Sequence, residues 1–343
     1  MDELPSTDVL DIGIVTRLSD KPRATNTELA RRFEVVGATI GARVRRLYDE
    51  GIAQVVAVTP LSKTKHNVLM MVYARIDADF APSTGDLAVA LAQAPEILMI
   101  ASLLENYQFL LWISAVDTAH AERIIQSRLG VVRGIESLRV ELVTNVGKDS
   151  SNLLARLPSG GAQVSRDELG HDQLSEMLND SEHRILAELR ADGRRSVSEI
   201  ARRTRTSDRL VRSTIESLEE QGLLQFEAVI YAPAFGLTQL ALVEIDIDHD
   251  RHTSIVSALR ARPEFTYVMT TTGRSHRVKG IAQVSSNRAL SSLLHEDVAA
   301  IPGIRAVRNM PIITGYKHDR NIALGALPRS GRSVGRVIEG MSE

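Results

Sequence analysis

Along residues 7–51 the apolar positions fall three and four apart and break at turn residues into three short helices. Thr7 or Asp8 can cap a first helix whose buried stripe is Leu10, Ile14, Val15 and Leu18. A second helix runs from about Asn26 or Thr27 through Phe33, and a third from about Gly37 to Glu50, stopped by Gly51. The third helix sets Ile40, Val44 and Leu47 on one side, with Thr39, Arg43 and Arg46 on the other. The design returns further on. Ser181 is the expected cap of a first helix, Val197 or Ser198 opens a second, and Ser207 caps a third that ends at Gly222. Three short helices with a tight turn between the last two make a helix-turn-helix.

Downstream of each triplet the period changes from 3.6 to 2. Residues 68–76 and 241–247 read as strands, each followed by a helix at about Thr84–Gln93 or His252–Ala261. In the first copy two strands follow near Ile97–Leu103 and Phe109–Val116, then a helix at Ala119–Leu129 and a last strand near Ile135–Val143. The order βαββαβ is the ferredoxin-like plan. The expected fold class is α+β, with two copies of a three-helix helix-turn-helix domain, each followed by a βαββαβ domain.

The recurrence is a duplication. Glu28-Leu29-Ala30-Arg31-Arg32 returns as Glu199-Ile200-Ala201-Arg202-Arg203, and the same shift of 171 carries Ile14 to Ile185, Leu47 to Leu218 and Gly51 to Gly222 without a gap. Pro95-Glu96 matches Pro263-Glu264, Gly134-Ile135 matches Gly303-Ile304, and Lys148 pairs with Lys317. The expected layout is helix-turn-helix domains at 1–60 and 179–232 and ferredoxin-like domains at 66–148 and 237–319. A Pro-Ser-Gly-Gly-containing linker spans 149–178, and a Gly-, Ser- and Arg-rich disordered tail spans 320–343.

Composition narrows the class. A chain of 343 residues that is 43% hydrophobic and 24% charged supports several packed domains. It has no cysteine, which removes disulfides and thiolate metal sites. No phosphate-cradling glycine loop, metal-ligand spacing or nucleophile–histidine–acid set stands out, so neither a cofactor nor an enzyme is expected. No apolar run reaches the roughly 18 residues of a membrane span, and the acidic start is not a signal peptide, so a cytoplasmic protein without a membrane partner is expected. A net charge of −2 argues against non-specific coating of nucleic acid and leaves room for a local basic face.

The stretch from Glu28-Leu29-Ala30 through Arg43-Val44 to Leu47 and Gly51 resembles the helix-turn-helix of the leucine-responsive and asparagine-operon (Lrp/AsnC) regulators. Glu199-Ile200-Ala201 through Ser207, Leu218 and Gly222 resembles it again. The βαββαβ units, with Pro-Glu before the second strand and Gly-Ile before the last, are similar to that family's amino-acid-sensing domain. The resemblance implies a transcriptional regulator that binds double-stranded DNA under control of a small-molecule effector. It also implies sensor sheets that pair, here within one chain as a pseudo-dimer, with further homo-oligomerisation. A helix-turn-helix lays its third helix in the major groove. The candidate base-reading residues are therefore Thr39, Ala42, Arg43 and Arg46 in the first copy, with Arg209, Arg212, Ser213 and Thr214 in the second. Arg31, Arg32, Arg202 and Arg203 are candidates for phosphate contacts.

The copies have diverged. Val36 stands where the family has a capping serine, which Ser207 keeps, whereas Arg43 is kept in the first copy and becomes Thr214 in the second. The family's Gly-x-x-Asp effector loop reads Gly273-Arg274-Ser275-His276 in the second copy and Glu105-Asn106-Tyr107-Gln108 in the first. Tyr107, Gln108, Gly273, Arg274 and His276 are the effector candidates. Without the aspartate the loop favours an anion over a simple branched-chain amino acid. Two rival readings stand beside the regulator. One is a sirohaem-decarboxylase-like tetrapyrrole enzyme, faintly echoed by Glu105-Asn106-Tyr107 and Trp112; the other is an assembly protein that has lost DNA binding.

Overall fold

The computed structural model describes residues 7–59, 68–77, 84–94, 96–105, 108–149, 178–273 and 277–318. The expected linker and tail lie outside them, apart from Asp149 and Leu178. The first helical unit comprises α1 (Val9–Asp20), α2 (Asn26–Phe33) and α3 (Gly37–Asp49), and the second α6 (Asp180–Ala191), α7 (Val197–Thr204) and α8 (Asp208–Glu220). Asp8 caps α1 and exchanges hydrogen bonds with Asp11. At α6 the cap is Asn179 and not Ser181. Both residue types cap well, but only Asn179 has an acid, Glu182, three residues on to return the bond. The tight turns pass through Glu34 and Arg205, equivalent residues held at φ 54° and 56°. A left-handed side chain at both shows that the helix-helix angle itself is what the two copies share.

Each unit continues into a strand that the hydrophobic pattern did not reveal, β1 (Ala53–Val58) and β6 (Gln225–Ile230). These two pair antiparallel with each other, Gln54 opposite Val229 and Val58 opposite Gln225. Because Gln54 is equivalent to Gln225 and Val58 to Val229, the ribbon has a local two-fold axis. The strands also exchange cores: Ala228, Ile230 and Ala234 join Ile14, Leu29 and Ile40 of the first unit, while Ala57 joins the core of the second. The Gly193 N–H donates to the Val55 carbonyl at 2.9 Å, and a Cβ there would lie 3.0 Å from Phe226 and the Val56 backbone. The helical units are therefore welded together and share their apolar interiors.

The α+β units contain β2 (Val68–Ile76), α4 (Thr84–Ala92), β3 (Ile97–Leu103), β4 (Phe109–Ala115), α5 (Thr118–Ile124) and β5 (Ile135–Asp149). Their counterparts are β7 (Gln239–Ile247), α9 (His252–Ala261), β8 (Phe265–Thr271), β9 (Val278–Val284), α10 (Asn287–Ser292) and β10 (Ile304–His318). Both α5 and α10 run on into a π-helical turn, Ile125–Leu129 and Leu293–Val298. The sheets β3-β4-β2-β5 and β8-β9-β7-β10 join edge to edge through β5–β8 and β10–β3, closing an eight-stranded barrel. Closure explains why β5 extends six residues past the expected end at Val143. Its first part pairs with β2 and its last part, from Val143 to Asp149, with β8 of the other copy. The helices cover the outer faces over two apolar layers, and a third layer, including Met71, Trp112, Tyr267 and Met310, fills the space between the sheets.

Candidate nucleic-acid interface and the core between the sheets

Every third helix shows its face through rotation of ~100° per residue. Taking Ile40, Val44 and Leu47 as the buried stripe, Ala42 points most directly away, Arg45 and Arg46 each lie about 130° from it on opposite sides, and Arg43 falls only about 65° from the stripe. The structure agrees except at Arg46: Thr39, Ala42 and Arg45 are exposed, while Arg43 and Arg46 are half-buried. Arg43 donates to Asp8 at 2.6 Å and Asp11 at 3.2 Å, and Arg46 to Asp11 at 2.5 Å and Glu50 at 3.1 Å. The side chain of Asp11 is wholly buried. The two arginines expected to read bases thus lean back on α1 and serve its cap. Arg45, which the sequence reading passed over, is exposed and has no partner among the described residues; the wheel alone could have found it.

The second unit presents a different surface. Arg209, Arg212 and Ser213 are exposed, and no described acid pairs with either arginine. Thr214 occupies the flank position of Arg43 and is 3% exposed, so its side chain belongs to the packing beside Val211 and Ile215. Ser207 accepts from the Leu210 N–H, whereas Val36, 72% exposed at the cap of α3, makes no side-chain cap bond. Arg31, Arg32 and Arg202 are exposed, with no ion-pair partner among the described residues. Arg203 donates to Glu188 at 2.7 Å, a carboxylate that Arg195 also holds.

Of the effector candidates, Tyr107, Arg274 and His276 lie outside the described residues. The Gln108 amide is engaged with the backbone of Ile76, whose N–H donates to Oε1 at 2.7 Å. Gly273 lies against Glu141: a Cβ there would come within 3.0 Å of the carboxylate. That carboxylate opens onto a buried charged cluster between the sheets, which no motif had announced. Lys279, 1% exposed, donates to Glu244 at 2.5 Å and lies 3.3 Å from Glu141. Tyr73 donates to Glu244 at 2.9 Å, Arg139 to Glu244 at 3.0 Å and Thr271 to Glu141 at 2.7 Å. The Arg139 guanidinium also lies 3.8 Å over the Tyr73 ring. Burial and the carboxylates of Glu244 and Glu141 push the Tyr73 phenol well above its ordinary range. Burial pushes Glu244 upward too, but Lys279 and Arg139 outweigh it and hold the carboxylate below its usual value. Two carboxylates, one ammonium and one guanidinium balance in charge, as buried ions must.

Two winged helix-turn-helix units joined to paired ferredoxin-like sheets define a class of two-domain DNA-binding proteins. Residues 7–54 and 178–225 match the family model for winged helix-turn-helix DNA-binding domains. Residues 240–322 match that for the Lrp/AsnC ligand binding domain. The chain belongs to the Lrp/AsnC family, with its helix-turn-helix present twice. Among curated relatives, the HTH-type transcriptional regulator FL11 of Pyrococcus horikoshii is 24% identical over 148 residues, 43% of this chain and 97% of that protein. FL11 of Pyrococcus furiosus is 27% identical over 142 residues, 41% and 93%. Each relative thus has about the length of one repeat. Among solved structures, the siroheme decarboxylase NirDL covers 97% of this chain and 100% of its own at a TM-score of 0.59 and 13% identity, a likeness of fold alone. Among the described residues no helix is long and apolar enough to cross a membrane, and no group of acidic or histidine side chains could hold a metal.

Proposed function

We propose that this chain is a sequence-specific transcriptional regulator that binds double-stranded DNA through both helical units and works in the cytoplasm under control of a small-molecule effector, an amino acid or another small anion. The observation that carries the reading is the outer face of α8, where Arg209 and Arg212 stand exposed and unpaired among the described residues beside Ser213. A guanidinium free of acidic partners is available to guanine or phosphate. In the first unit Thr39, Ala42 and Arg45 form the reading face, with Arg31, Arg32 and Arg202 on the phosphates. The names of the FL11 relatives support the same reading. The sensors act as an intramolecular pseudo-dimer, which the cross-copy strand pairing supports, and further homo-oligomers form on that unit. Because the reading faces differ, the operator has two unlike half-sites.

The test is binding to fragments from the chain's own upstream region across a salt series. Specific binding that weakens steeply with salt and weakens further in Arg212→Ala is expected. Salt-independent or absent binding would overturn the reading. Tetrapyrrole chemistry is the second reading, favoured by the end-to-end fold likeness to a siroheme decarboxylase. Trp112, part of its faint sequence echo, is buried 4.9 Å from the Tyr267 ring and fills the core. A visible-absorbance titration with sirohaem separates the two readings, since only the second expects a saturable spectral shift.

A further inference from the structure

The cluster between the sheets is asymmetric where the fold is two-fold. Tyr73 and Glu244 are equivalent residues, 171 apart, and they hydrogen-bond to each other at the centre of the interface. In a pair of identical sheets that position would hold two tyrosines or two glutamates. The asymmetry extends outward. In the β4–β9 and β5–β10 alignments, Lys279 is equivalent to Leu110 and Glu141 to Met310; in β3–β8, Thr271 is equivalent to Leu103. All six are buried. One side of the axis is therefore polar, with a carboxylate from the first copy and donors from the second, while its mate, apart from Arg308, the equivalent of Arg139, is apolar.

We infer that these residues restrict the first sensor's inner face to one partner, the second sensor of the same chain, and reject a like copy. Set against another first sensor, each Glu141 would face Leu103 and Leu110 in place of Thr271 and Lys279, keeping only the partly exposed Arg139 of its own strand, 3.7 Å away, and a buried carboxylate that loses its buried cation is unfavourable. Set against another second sensor, two Glu244 carboxylates would meet at the axis, each keeping the Lys279 of its own copy but losing the Tyr73 hydroxyl and the Arg139 guanidinium. The pair serves selectivity more than strength: a charged pair exchanged for apolar residues costs little, whereas removal of one partner costs much. Single-copy dimers cannot encode such a lock, because both faces change together. This inference rests on the intramolecular pairing proposed above.

The full chain tests both, since it has no cysteine of its own. Asn145 and Thr270 are paired across the β5–β8 junction. Asn145→Cys with Thr270→Cys should form an intrachain disulfide, whose equilibrium with glutathione reports the effective concentration of one sensor at the other. No intrachain disulfide in this parent would overturn the pairing itself. With the disulfide formed, Glu141→Met and Lys279→Leu should each lower the effective concentration at least about tenfold, because each leaves one net buried charge. The double variant, neutral again and apolar like its mate, should return to within about threefold of the parent. Glu141→Gln, which keeps the shape, should fall between, so a single variant that fails to fold does not end the test. Single variants that leave the disulfide equilibrium unchanged, or losses that simply add in the double variant, would overturn the selectivity.

Discussion

The two helix-turn-helix units share a backbone down to the left-handed residue of the turn, yet they dispose of their charge in opposite ways. In the first, Arg43 and Arg46 converge on Asp11, whose carboxylate also accepts from the Asp8 N–H at the start of α1. In the second the corresponding residues are Thr214, Ser217, Glu182 and Asn179. That unit caps its first helix with an amide and packs Thr214 inward, while its arginines sit at the exposed start of α8. Shared geometry does not give a shared charged surface: carboxylates of the fold hold Arg43 and Arg46 in the first unit, while no described acid holds Arg209 or Arg212 in the second.

The largest expected effect breaks the comparison at its DNA end. Arg209→Ala with Arg212→Ala should weaken specific binding on the order of 10- to 100-fold and flatten the salt slope by about 2. Arg43→Ala should leave affinity within about twofold, as titrations at matched salt would show. Loss of affinity from Arg43→Ala equal to that of the double variant would erase the distinction. Next comes Asp11→Ala, expected to destabilise the chain by about 2 kcal/mol in chemical denaturation. It removes the buried carboxylate that Arg43 and Arg46 share but leaves each with a second acid, Asp8 or Glu50, so the loss is less than for a fully buried pair.

The caps give a smaller and signed contrast. Ser207→Ala should cost about 1 kcal/mol, while Val36→Ser should gain about 0.5–1 kcal/mol, because α3 has an open cap position and α8 a filled one. Equal and opposite shifts in melting temperature would sharpen the comparison. The smallest effect is in acid. The Asp11 N–H above all, with help from Arg43, holds the Asp8 carboxyl below its ordinary 3.8 against the upward push of burial. Its contribution is therefore complete above the unfolded value and is lost as pH falls through the lower folded value. The equivalent Asn179 does not titrate. Asp8→Asn should remove part of the acid limb of the melting curve below about pH 4, and the reciprocal Asn179→Asp should add to it.

Most of the architecture was legible along the chain, and the misses have particular causes. Helical spacing and caps placed α2 and α3 within a residue, and alternation placed β2 and β3. Strand β1 escaped because Gln54 to Val58 is nearly all apolar, buried on one side by its own helices and on the other by the second copy's. The far end of β5 escaped for another reason: Thr144 to Asp149 is mostly polar, and its partner β8 lies more than 100 residues away. At the candidate interface the wheel sets Arg43 behind Arg45 and Arg46, but only the contacts of Arg46 with Asp11 and Glu50 set it apart from Arg45. That Arg43 is held by Asp8, 35 residues away, is a fact of packing between two helices.

The sequence by itself determined the duplication, the order of elements and the chemistry available in each copy, because periodicity and caps are local properties of a chain. The tertiary structure alone decided which arginines stand free, which strand completes which core, and that Tyr73 meets Glu244 while Lys279 lies between two glutamates. Those outcomes depend on the closure of two distant copies around one axis. Electrostatic pairing acts over a few ångströms, and no spacing along the chain reports which residues the fold brings that close.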